Sequence, residues 1–131
     1  MPAPALNFPS LTLPRHPLWL GAYETACQLL DAQVARIQHA PLSAWQTCWL
    51  ALGLRYPSRG DLIPSLLDGF YSQQSADGRI PRALDDDAAQ ATCPPLFAWV
   101  EWETYQAFGD RARLPRVLPR LVRFFDWLAR A

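Results

Sequence analysis

Leu114-Pro115-Arg116-Val117-Leu118-Pro119-Arg120-Leu121-Val122-Arg123-Phe124-Phe125-Asp126-Trp127-Leu128 is the stretch that decides the fold. Leu114, Val117, Leu118, Leu121, Val122, Phe125 and Leu128 recur at three- and four-residue intervals, the repeat of one face of an α-helix. Arg113, Arg116, Arg120 and Arg123 form a basic stripe on the opposite side, expected to be solvated or salt-bridged. Asp110, directly after Gly109, reads as the cap that starts this helix.

Upstream the same period recurs. Pro95 opens a helix through Phe97, Val100, Trp102 and Tyr105 that stops at Gly109. Asp61 reads as the cap of an earlier one, with Pro64 in its first turn and Leu62, Ile63, Leu66, Leu67 and Phe70 as its inner stripe. Ser43 is the expected N-cap of a helix reaching about Leu54, apolar on nearly every side and so expected to be buried among its neighbours. Before Pro41, Trp19, Ala22, Tyr23, Ala26, Cys27, Leu30, Val34 and Ile37 mark a first helix over about residues 18–39.

Ser75 to Pro94 differs. Asp77-Gly78, Pro81, Asp85 to Asp87 and Pro94-Pro95 hold some twenty residues without helical periodicity, a loop of the kind that often carries function. No run alternates with period two. The expected class is therefore all-α, about five helices in consecutive antiparallel hairpins, with residues 1–17 as a proline-rich lead and 18–131 as one helical domain.

Composition narrows the function. Half of the 131 residues are hydrophobic, enough for a core, and 12 acidic residues balance 12 basic ones, all of them arginine. A net charge of zero offers no field to collect nucleic acid or an anionic membrane. No stretch approaches the roughly 20 apolar residues that cross a bilayer, and no secretory signal is visible, so a cytoplasmic location is expected. Cys27, Cys48 and Cys93 are odd in number and lack CxxC spacing, which suggests reduced thiols and neither a disulfide framework nor a zinc site. His16 and His39 stand alone. No metal or cofactor is expected.

From Trp45 onward an ordered set of segments resembles a known family. They are Trp45-Gln46-Thr47-Cys48-Trp49 with Ala51-Leu52-Gly53-Leu54, Leu67-Asp68-Gly69-Phe70-Tyr71, Asp77-Gly78-Arg79-Ile80-Pro81-Arg82, Cys93-Pro94-Pro95-Leu96-Phe97-Ala98-Trp99, Gly109-Asp110-Arg111-Ala112-Arg113-Leu114, and Val117-Leu118-Pro119-Arg120-Leu121 leading to Phe125-Asp126-Trp127-Leu128. In this order they are similar to the mannosylglycerate-hydrolase-like and trehalase-like glycosidases, whose fold is a toroid of six helical hairpins.

The resemblance implies a partial α/α toroid that binds carbohydrate in its complete form. It implies sugar contacts at the start of the second helix and in the 77–95 loop, from Trp45, Gln46, Arg82 and Cys93. An indole face can stack on a pyranose while neighbouring polar groups meet its hydroxyls; the plainer alternative makes Trp45 a core residue. Two positions depart from the family pattern. Gln46 stands where an aspartate is usual, and Cys93 where glutamine or asparagine is common, so both contacts are weakened.

Inverting glycoside hydrolysis needs two carboxyl groups roughly 6.5 to 9.5 Å apart. In the resembled family both lie beyond Ala131, and twelve helices of about 11 to 12 residues joined by about 4 to 6 need roughly 200 residues. Within the chain the candidates are Glu101 and Glu103, or Asp85, Asp86 and Asp87. Two residues two apart on a helix point in different directions, and the aspartate run lacks the spacing of a calcium loop. No catalytic residue is therefore assigned. The expectation is the N-terminal part of a glycosidase-like toroid acting on a small α-linked glycoside. The alternative is a non-catalytic hairpin domain that associates with a helical partner, or with itself, through an exposed toroid edge, or that keeps a degenerate sugar site.

Overall fold

The computed structural model describes residues 6–12, 16–37, 42–57, 59–84 and 94–130. They hold α1 (Pro17–Ile37), α2 (Ala44–Gly53), α3 (Ile63–Ser72), α4 (Leu96–Phe108) and α5 (Leu114–Leu128), with a 3₁₀ turn at Gly60–Leu62 before α3. The fold is all-α. Among the described residues the extended backbone amounts to an isolated antiparallel bridge between Ser43 and Ala83.

The helix ends follow from local chemistry. Ser43 caps α2 in a capping box: its hydroxyl accepts the Gln46 N–H at 3.2 Å, and the Gln46 side-chain oxygen accepts the Ser43 N–H at 3.0 Å. Gly109 ends α4 at φ 71°, a left-handed conformation natural to glycine. Asp110 does not cap α5: it accepts the N–H groups of Ala112 and Arg113 in a turn before the helix, which starts at Leu114 with Arg113 at its N-cap and no side-chain cap bond. Pro119 sits inside α5, and the hydrogen bond it forgoes lies on the solvent side, where Pro115 and Pro119 are both exposed. Asp61 does not cap α3. The chain makes a 3₁₀ turn first, and the Asp61 carboxylate pairs instead with Arg59 at 2.9 Å.

Two sets of contacts fix the arrangement. Between α2 and α4, Trp49 meets Trp99 and Arg55 pairs with Glu103, so residue numbers rise together and the helices run parallel. Between α3 and α5, Asp68 meets Arg113, the Tyr71 carbonyl meets Arg120 and the Ser75 carbonyl meets Arg123, again parallel. Successive helices therefore alternate between two layers, α2 and α4 in one, α3 and α5 in the other. α1 packs on α2.

The core lies between the layers. Phe70, Phe97 and Phe124, from α3, α4 and α5, are essentially fully buried, with ring centroids 5.7 and 6.2 Å apart. Each such side chain contributes roughly 1.5–3 kcal/mol by leaving water. Ile63, Leu67, Val100, Val117 and Leu121 complete the seam.

Three further expectations, all about buried faces, need correction. α2 is not buried all round, since Trp45 and Trp49 are each 47% exposed. The inner face of α5 is Val117, Leu121 and Phe124; Phe125 is exposed with Leu118 and Val122, one step around the helix. The face of α1 is largely open, with Val34 its buried residue, because α2 and Leu6 cover only its C-terminal half. The described part of the lead is tied along α1 by Leu6 N–H to Asp31 at 3.2 Å and the Tyr23 hydroxyl to the Pro9 carbonyl at 2.5 Å.

Candidate functional site

With like helices parallel, the starts of α2 and α4 and the ends of α3 and α5 gather at one end of the molecule. The 75–84 segment crosses this end. It makes a tight turn, Ser75 N–H to Arg79 carbonyl one way and Gly78 N–H to Ser75 carbonyl the other, both 3.0 Å, and reaches the start of α2, where the Ala44 N–H donates to the Arg82 carbonyl at 2.7 Å.

Gly78 is the tightest point. Its φ of 108° lies in the left-handed region, and a Cβ there would fall 2.2 Å from the Arg123 carbonyl oxygen. Arginines of α5 hold the rest: Arg120 donates to the Tyr71 carbonyl at 2.5 Å, Arg123 to those of Ser75 and Ala76 at 3.1 Å, and Arg130 to that of Asp77 at 3.0 Å. Tyr71 lies in the last turn of α3, where its carbonyl also accepts the Gln74 N–H at 3.3 Å, and Ser75, Ala76 and Asp77 lie in the turn beyond; guanidinium groups add to or supply the hydrogen bonds of these carbonyls. The expected basic stripe is thus partly a clamp.

Trp45 and Gln46 stand on an open groove of about 420 Å³ between α1 and α2, with Leu29, Leu30, Gln33 and Trp49 also on its walls. Trp45, Trp49 and Trp99 form a row across the two parallel helices, centroids 5.7 and 5.8 Å apart and edge to face. The Gln46 carboxamide oxygen is committed to the cap, leaving its Nε2 donor for a ligand. Arg82 joins the same end through its backbone, with an exposed side chain. Cys93, like His39 and Asp85 to Asp87, lies outside the described residues. Among the described residues no cluster of histidine, cysteine, aspartate and glutamate could hold a metal ion.

Sequence reasoning passed over Trp49 and Trp99. Trp49 follows Trp45 by four, a spacing that places two indoles on one helix face, but only the parallel packing of α2 and α4 brings Trp99 to the row.

Both glutamates of α4 are engaged, and they diverge as their spacing requires. Glu101, 3% exposed, accepts Arg113 Nε at 2.8 Å, Arg113 Nη2 at 2.7 Å and the Tyr71 hydroxyl at 3.0 Å. Arg113 reaches on to Asp68 at 2.9 Å. Burial alone would favour the neutral guanidine, but hydrogen bonds to Glu101 and Asp68 outweigh it and hold Arg113 above its ordinary range. Burial, reinforced by the Glu101 carboxylate, pushes the Tyr71 hydroxyl well above the usual tyrosine range. Glu103 pairs with Arg55 and accepts the Trp99 indole N–H at 3.2 Å. Arg113 is therefore a buried residue at the start of α5, not part of a solvated face.

No family model matches the chain, and no solved structure matches it. Among curated proteins, an uncharacterized protein of Borreliella burgdorferi is 29% identical over 91 residues, 63% of this chain and 19% of that protein. The chain thus spans about a fifth of that relative's length.

Proposed function

We propose that this chain is the opening part of a glycoside-hydrolase-like α/α toroid that takes a small α-linked glycoside at its loop end, with the catalytic acid and base carried by later hairpins. The observation that carries the proposal is the half-exposed row Trp45, Trp49 and Trp99 across two parallel helices of one layer. Exposed indoles are costly in water and suited to stacking on sugar rings, and in a closed two-layer toroid an inner layer faces the lumen. A cytoplasmic location fits this proposal; no helix among the described residues is long and apolar enough to cross a membrane.

The occupied state of Glu101 and Glu103 supports placing the chemistry elsewhere. A general acid must be free to give its proton to the leaving oxygen, and Glu101 is held by a guanidinium and a phenol in a dry site.

The test is titration of the ¹⁵N-labelled chain with trehalose and methyl α-D-mannopyranoside, reading the assigned indole N–H signals. Shifts at Trp45, Trp49 or Trp99 are expected, with no hydrolysis of either a natural or an aryl α-glycoside. Silent indoles at all three positions would remove the Trp45, Trp49 and Trp99 row as a sugar site, and turnover lost in Glu101→Gln would place the chemistry in this chain.

A second reading, association through an open edge, is favoured by Leu118, Val122 and Phe125, which lie exposed along the flank of α5 that faces away from α3. Sedimentation velocity tests it: concentration-dependent self-association abolished by Val122→Glu supports an interaction module, and a monomer at all concentrations removes self-association.

A further inference from the structure

We infer that the cavity between the 75–79 turn and the last turns of α5 is a second carbohydrate site, separate from the Trp45 groove. This inference rests on the carbohydrate reading above and extends it to residues to which the resemblance assigned no sugar contact.

The cavity is an open depression of about 590 Å³ at the surface, lined by Ala76, Asp77, Arg123, Asp126, Trp127 and Arg130. Its size falls within the range of small-molecule sites. Its charge is balanced, two guanidinium groups against two carboxylates, which disfavours a phosphate or another strong anion. Donors, acceptors and one indole in near-equal supply match a neutral polyol, whose hydroxyls both give and accept hydrogen bonds while its C–H face meets an aromatic ring.

The walls are set before any ligand arrives. Arg123 is fixed by the carbonyls of Ser75 and Ala76, and Arg130 by that of Asp77. The Asp77 carboxylate is held by the Ser75 hydroxyl and by the Arg79 N–H at 3.3 Å. The Trp127 indole lies nearly parallel to the Phe124 ring, 6° between planes, which anchors it to the core. Groups already immobilised lose little entropy when a ligand binds. Asp126, exposed and outside these ties, is the acceptor offered to ligand hydroxyls.

The same indole titration separates the two sites. Trehalose or methyl α-D-mannopyranoside is expected to shift the Trp127 indole, with an affinity about tenfold weaker in Asp126→Ala, the usual scale for a charged hydrogen bond. Arg130→Gln should weaken it likewise. If Trp45, Trp49 or Trp99 respond while Trp127 stays silent, this second site is overturned and the proposed function stands. Trp127 responding alone supports this site and removes the α2 groove. Trp127 shifting with inorganic phosphate and not with sugar would overturn the polyol assignment.

Discussion

Arg113 and Glu101 lie twelve residues apart, on either side of the α4–α5 turn, yet meet as a fork on a fork: Nε donates to Oε2 at 2.8 Å and Nη2 to Oε1 at 2.7 Å. Both side chains are 4% exposed. A parallel pair of charge-assisted bonds in so dry a place fixes the angle between the two helices as well as joining them.

Removing one partner strands the other charge in the interior. Arg113→Met is expected to destabilise by about 3–5 kcal/mol, the usual penalty for an orphaned buried ion, and Arg113→Met with Glu101→Leu to recover much of the loss. Urea melts of the single and double variants measure this. A single variant costing under about 1 kcal/mol, the scale of an exposed pair, would count against the pair as a structural element.

Alkaline stability should depend on Tyr71. Its hydroxyl keeps its proton in the folded chain beyond pH ~10, where an unfolded tyrosine releases it, so its contribution is complete below that pH and declines as the pH rises further. Tyr71→Phe should flatten the fall in stability above pH ~10, followed by denaturant melts across that range. An unchanged slope would show that other groups set the alkaline limit.

The two left-handed glycines should respond unequally to alanine. At Gly109 nothing lies within 4 Å of a new Cβ, so the cost is the conformational strain of about 1 kcal/mol. At Gly78 the same change also drives a methyl into the Arg123 carbonyl, which must move, and a loss of ~3 kcal/mol or more is expected. Equal losses would mean that the turn relaxes away from α5 without penalty.

Acid should act at Asp77. The Ser75 hydroxyl, then the Arg79 N–H and the Trp127 side chain, hold its carboxyl below the usual range. Its contribution is present above the unfolded value of about 3.9 and lost as the pH falls through the folded one. Asp77→Asn should reduce the acid-side slope of stability, and the Trp127 indole signal should lose its dependence on pH in that window.

At the α2 start, Ser43→Ala should cost about 1 kcal/mol through loss of the cap. Gln46→Asp trades the second half of the capping box for a carboxylate, so stability should fall while sugar-induced shifts at Trp45 strengthen. Unchanged shifts would leave Gln46 a capping residue only.

Caps and periods were legible because they are local. Ser43, Gly109 and the repeat of α5 act within one or two turns, and the helix limits followed within a few residues. What was not legible depends on neighbours. The α5 repeat admits Phe124 or Phe125 as the inward residue, a rotation of about 100° that only the positions of Phe70 and Phe97 decide. Arg113 reads as one of four basic residues until Asp68 and Glu101 come from other helices to bury it. Trp45 reads from the sequence as either a cleft indole or a core residue, and its neighbours Trp49 and Trp99 become a row with it only through the parallel pairing of α2 and α4.

The arginine clamp on the 71–78 backbone also imposes an order of assembly. Arg120, Arg123 and Arg130 reach back 47 to 53 residues to the carbonyls they meet. Contacts of such sequence separation close late, after local helices have formed. On the ribosome, α3 can coil as soon as it emerges, but the turn at its end has no partner until the last residues of α5 leave the exit tunnel. The turn beyond α3 thus cannot be fully tied down before Arg130 is made, and a chain interrupted earlier would hold its helices without that clamp complete.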